Sequence, residues 1–137
     1  MNKKRYLVGS IVTWVFIFVY EMIFHGVIMK GPYQQIANLM RPEEAMMALF
    51  FWMILAQLIM AFGFCYVFIK GYENRGIAEG FRYGLIIWVA FGISSLLIEY
   101  VVYPIPARFI VIWAIGYFVE LVVSGLIIAA IYRPRAA

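Results

Sequence analysis

Four apolar stretches dominate this chain, and each is long enough to cross a lipid bilayer. They run over Tyr6–Met29, Ala45–Ile69, Tyr83–Val102 and Phe109–Tyr132. A hydrocarbon core of about 30 Å, crossed at about 1.5 Å per residue, needs roughly 20 apolar residues. Lipid offers no hydrogen bonds to the backbone, so only helices or closed barrels can span it. The runs are continuous and do not alternate as barrel strands do, which leaves helices. The sequence predicts an all-α bundle of four transmembrane helices forming one domain over residues 1–137. Composition agrees: 66% of the 137 residues are hydrophobic and 13% charged, with a mean hydropathy of +0.94. Soluble domains are about 45–50% apolar and about 25% charged. The surplus must face lipid, which excludes a cytosolic enzyme, a disordered segment and a disulfide-stapled secreted domain.

The start, Met-Asn-Lys-Lys-Arg before an apolar run, has the outline of a secretory signal. The run is too long for one, however, and Tyr20, Glu21, Met22 and Phe24 stand where small residues would mark cleavage. An uncleaved first helix is expected. Basic residues orient the spans. Lys3, Lys4, Arg5, Lys70, Arg75, Arg82, Arg133 and Arg135 fall on one side, and Lys30, Arg41 and Arg108 on the other. Eight against three puts both termini in the cytoplasm, in a cell (inner) membrane. The net charge of +4 follows from the same bias; contact with lipid headgroups accounts for it, and no nucleic-acid partner is implied.

Two features suggest internal organisation. Glu21 lies fifteen residues after Tyr6 and Glu99 sixteen after Tyr83, while Gln57 and Glu120 each lie thirteen before the basic residues Lys70 and Arg133. These offsets suggest a parallel repeat of two hairpins. Gly76, Gly80, Gly84 and Gly92 form a small-residue row at multiples of four, a seam for close packing inside the bundle or between two copies. In the first loop, Gly31-Pro32 ends the first helix and Pro32–Met40 is expected to form a short interfacial turn or helix. Glu43 and Glu44, after Arg41-Pro42, read as the capped start of the second helix. Tyr103–Arg108 reads as a tight proline-stiffened turn.

The polar groups inside the spans carry the functional question. The chain has no Asp and seven Glu, and Glu21, Glu99 and Glu120 lie within predicted spans. An ionisable group in lipid costs a few kcal/mol unless paired or neutral, so each is a functional candidate. Glu120 sits roughly 16 Å deep, near the midplane, and Gln57 at a similar depth. An interhelical hydrogen bond between the two is expected. Glu21 and Glu99 sit toward the outer ends. His25, the sole histidine, follows Glu21 by four residues, which stacks the two side chains on one helix face. With Glu99 nearby, three readings stay open. One is a structural polar clasp completed by Arg108 and Lys30. The second is a proton relay, and the third a divalent metal site of Glu21, His25 and Glu99. Cys65 is alone, so no internal disulfide can form, and a small packing residue is expected there.

No CxxCH, P-loop, GxSxG or HExxH motif occurs, and one histidine cannot ligate a haem twice. No cofactor is expected, and an enzyme is disfavoured. Four short spans and a carboxylate in helix one resemble the small multidrug resistance transporters in length and span count. Their carboxylate sits near the middle of helix one, whereas Glu21 is near the outer end, and the long first loop is foreign to them. The run Tyr100-Val101-Val102-Tyr103-Pro104-Ile105-Pro106 through Arg108 and Trp113, with Phe24-His25-Gly26, is similar to small bacterial four-helix membrane proteins. That resemblance carries no activity. The expected function is a non-enzymatic accessory or assembly subunit of a larger membrane complex, bound to lipid and to other subunits or copies of itself. The alternative is a small oligomeric proton-coupled transporter or channel working through Glu120, Glu21 and His25.

Overall fold

The computed structural model describes residues 1–133; Arg135, counted above among the orienting basic residues, lies outside them. Among the described residues every regular element is helical. The first span joins helix α1 (Lys3–Ile23) to a π-helical turn, Phe24–Ile28. Short helices α2 (Lys30–Tyr33) and α3 (Glu43–Ala48) flank a 3-10 segment, Gln34–Leu39, in the long loop. The second span is α4 (Phe50–Lys70). The third comprises α5 (Ile77–Ile87), a π-helical segment Trp88–Ile93 and α6 (Ser94–Val102), and the fourth is α7 (Ala107–Ile131). All four are long and apolar enough to cross a membrane.

The boundaries depart from the sequence reading in two places. The second span begins at Phe50, because Leu49 (φ −103°, ψ 6°) breaks the chain after α3. The third begins at Ile77, six residues before Tyr83, because its first turn has a use for charge. Glu79, only 5% exposed, accepts hydrogen bonds from the backbone N–H groups of Glu73 (2.6 Å) and Arg75 (2.9 Å). The 71–76 turn that these bonds close contains Asn74 and Gly76 in the left-handed region (φ 62° and 72°). Glu73 in turn pairs with Arg82 (2.7 Å) and Arg75 (3.1 Å).

The fourth span is the hub. About 44% of its most apolar stretch is buried inside the protein, against 11% for the third span. Gly80 faces the Gly125 backbone and the Ala129 methyl, and Gly84 faces the Leu121–Val122 backbone, leaving no room for a side chain on either glycine. The seam expected from the sequence therefore exists in part and lies inside the bundle, completed by Gly125 of α7. Gly76 is not in it; it caps α5 with open space around it. Gly92 instead meets Trp88 of its own helix. Trp88 donates to the Ala114 carbonyl (2.8 Å), tying the third span to the fourth a second time. On the other side of the hub, Ser10, Thr13, Cys65 and Ser124 are fully buried small groups, with the Cys65 thiol 3.5 Å from the Thr13 hydroxyl. This is the packing role expected for Cys65.

Both ends of the described chain meet, the Asn2 backbone N–H donating to the Tyr132 hydroxyl (3.0 Å). With the 71–76 turn they form one face of the bundle, the terminus side. The 29–49 and 103–106 loops form the opposite, long-loop side. There the long loop folds back over the end of the hub, burying Met29 and Ile36 against Phe109.

Candidate functional site

A cleft of about 610 Å³ opens between the second and third spans. Near the terminus side the two spans are fastened: the Tyr83 hydroxyl donates to the Phe64 carbonyl (2.8 Å), and its ring packs on those of Phe64 (4.6 Å) and Phe68 (5.4 Å). From that clasp the lining extends toward the long-loop side, as far as Met53 on one span and Glu99 on the other. The first and fourth spans close the back with Ile17, Glu21, Tyr117 and Glu120. Most of the lining is apolar. Its carboxyls are Glu21, Glu99 and Glu120, and among the described residues no Lys, Arg or His belongs to it.

Each carboxyl arrives on a different element: Glu21 from α1, Glu99 from α6 and Glu120 from α7. Glu120 is 2% exposed, and its Oε2 has no hydrogen-bond partner. Gln57, on α4, also lines the cleft with a buried and unpartnered Oε1. The expected Gln57–Glu120 hydrogen bond is therefore not made. Depth along two helices can be counted from sequence, but the cleft separates these faces. The neighbour of Glu120 is Glu21, whose carboxyl approaches it across the first and fourth spans. An orphaned polar atom in an apolar enclosure costs about 1–3 kcal/mol, so two in one cavity mark a place built for something polar to arrive.

Glu21 also faces away from the cleft. Its Oε2 lies 3.2 Å from His25 Nε2. The Nδ1 atom of His25 is hydrogen-bonded to the Tyr33 hydroxyl, and Trp113 Nε1 donates to the same hydroxyl (3.1 Å). The π-helical turn places His25 here: the Met29 N–H reaches back five residues to the Phe24 carbonyl (2.9 Å), widening the turn so that Lys30–Tyr33 doubles back over the ring. Tyr33 stacks on His25 nearly parallel (5.8 Å, 8°) and also on Phe109 (6.4 Å).

Glu21 and His25 are in contact, and beyond them the contacts run to Tyr33 and Trp113. Arg108 donates to the Gln35 side chain and so is engaged elsewhere. Glu99 faces the cleft, and among the described residues no three metal-ligating side chains converge, so Glu21, His25 and Glu99 are not gathered as a ligand set. Tyr33 and Tyr117 were not singled out from sequence, and Trp113 entered only through a resemblance. Tyr33 and Trp113 are 80 residues apart and meet only because the long loop folds back. Neither a protein-family model, nor a curated protein, nor a solved structure matches the chain. The site must be read from its own chemistry.

Proposed function

We propose that the protein is a small membrane carrier that takes an apolar cation into the cleft in exchange for protons. The observation that carries this reading is the composition of one cavity: three carboxyls, no basic group among the described residues and a mostly apolar wall. Its volume falls within the roughly 300–1,000 Å³ of small-molecule sites. An anionic or zwitterionic guest would meet unbalanced carboxyls; a bare metal ion would leave the apolar wall without purpose. A buried carboxyl is tolerated when it holds a proton or faces a cation. Those two states are the alternatives that a carrier exchanges. Placement in an inner membrane with both termini cytoplasmic rests on the basic-residue count, and a parallel two-hairpin repeat on the carboxylate and glutamine offsets. The accessory-subunit reading drew on the glycine row as a docking seam; Gly80 and Gly84 of that row are spent on the chain's own fourth span.

The test is equilibrium binding of tetraphenylphosphonium to the purified protein in dodecyl maltoside. Binding should tighten with rising pH and release protons, and Glu120→Gln should remove it while leaving helicity unchanged. Equal affinity in the parent and the Glu120→Gln variant overturns the reading.

A further inference from the structure

We infer that His25, held by Tyr33 and Trp113, is the group through which the cleft carboxyls exchange protons with the long-loop side. This rests on the proposed function only in assigning a use to the protons; the path itself is argued from geometry.

The indole N–H of Trp113 can only donate, so in its contact with Tyr33 the phenol oxygen is the acceptor. The one hydroxyl hydrogen of Tyr33 is then free to point at His25 Nδ1, which accepts it. A neutral imidazole carries a single proton, and the nitrogen left to bear it is Nε2, which faces the Glu21 carboxyl at 3.2 Å. The two ends of the ring agree: a carboxylate needs a donor, and Tyr33 supplies one to the far side. Burial, above all, pushes Tyr33 up to about 12, so its hydroxyl stays protonated and keeps this role across physiological pH.

The groups surrounding this ring come from three directions. Glu21 shares its helix, Tyr33 covers it from the long loop, and Glu120 with Tyr117 of the fourth span stands behind Glu21. Tyr20 approaches the carboxyl pair from α1 and donates to the Gly116 carbonyl (2.9 Å). Glu99 faces the same cleft from α6. The His25 side chain is 33% exposed, whereas that of Glu21 is 21% exposed and Glu120 only 2%, so accessibility falls along the order His25, Glu21, Glu120. In the step itself, hydronium on the long-loop side gives a proton to Nδ1 and leaves as water, and the Tyr33 hydroxyl turns from donor to acceptor. The imidazolium then releases its Nε2 proton to a Glu21 oxygen. One proton enters, one is delivered, and the ring is neutral again with its proton on Nδ1; hydronium then gives a proton to Nε2 while Nδ1 returns its own to water, an exchange that sums to zero. Glu21 passes the proton on to Glu120.

The experiment reads the carboxyls directly and needs no transported guest. Protein reconstituted in phosphatidylcholine is switched from H₂O to D₂O, and the shift of the buried carboxyl C=O infrared band is followed, the band being assigned by its loss in Glu120→Gln. His25→Ala should slow the exchange at least about a hundredfold, the lower end of what positioned acid–base groups supply. Added imidazole should restore the rate, which a purely structural role for the ring would not allow. Tyr33→Phe, which keeps the aromatic packing, should slow exchange less. Unchanged exchange in His25→Ala overturns the inference, because protons then enter through the cleft; so does a slowing that imidazole fails to rescue in a folded variant. Absence of tetraphenylphosphonium binding would strike the carrier reading alone.

Discussion

Replacing Gly80 by alanine tests whether one glycine crossing holds the third span to the hub. A methyl at Gly80 would meet the Gly125 carbonyl and the Ala129 methyl well inside contact distance. Carbon atoms rest at about 3.5–4.0 Å, so the two backbones must part by about 1 Å. A gap of about 0.5–1 Å forfeits a quarter to a half of the attraction at each neighbouring contact. Overpacking of this kind costs about 1–3 kcal/mol. At roughly 1.4 kcal/mol per tenfold, the folding constant should fall about 5- to 150-fold. Sodium dodecyl sulfate titration from mixed micelles, followed by circular dichroism, reads that change. Gly63→Ala is the control, since Gly63 is also a mid-helix glycine of a span but has open space where the methyl would go. Any gain in helix propensity is common to both, so their difference isolates the crossing. If Gly80→Ala lies within about 0.5 kcal/mol of Gly63→Ala, the size of a surface substitution, the packing argument fails.

Other outcomes follow from the same description. Glu79→Ala orphans two backbone N–H groups and should destabilise the protein by about 2–4 kcal/mol in the same titration; Glu79→Gln should cost less. Cys65 should resist maleimide in the folded protein and label only as the detergent unfolds it, because it is fully buried; fast labelling in mild detergent would contradict its placement. The Arg82 hydrogen bond, with the charges of Arg82 and Arg75, holds the Glu73 carboxyl below its ordinary value of 4.5. Such a depressed group stabilises the 71–76 turn above that value and ceases to do so as pH falls through the lower folded value. Amide protection across the turn, taken relative to the intrinsic exchange rate at each pH, should therefore fall, modestly for so exposed a pair, only below about pH 4.5.

The spans were legible because hydropathy integrates over twenty residues, and single errors average out. Their ends were less so, since Glu79 and Arg82 look like loop residues until the amides and carboxylate they engage are known. The π-helical segments left no periodic trace; each amounts to one residue of extra slack within an unbroken apolar run. At the site, depth could be counted along each helix, which marked Glu21, Gln57, Glu99 and Glu120. Azimuth could not, which is why Gln57 was assigned to Glu120 when Glu21 is its neighbour. The Tyr33–Trp113 contact was beyond reach for a different reason: it depends on a loop whose path follows from packing against Phe109, not from local pattern.

The burial imbalance among the spans bears on how the chain is made. The fourth span is the last of the four to leave the ribosome, yet it supplies the surface on which the third span packs and the residue, Glu120, that stands beside Glu21. Until it emerges, the three earlier helices must wait in the insertion machinery or the bilayer with Gly80 and Gly84 uncovered and Glu21 without its neighbour. Insertion one helix at a time can deliver the parts, but the bundle closes only at the end. Biogenesis should therefore be all-or-none. A ribosome stalled before Ala107 would leave three inserted helices exposed to membrane quality control, and the lifetime of such an intermediate, not the hydropathy of any single span, would set the yield of finished protein.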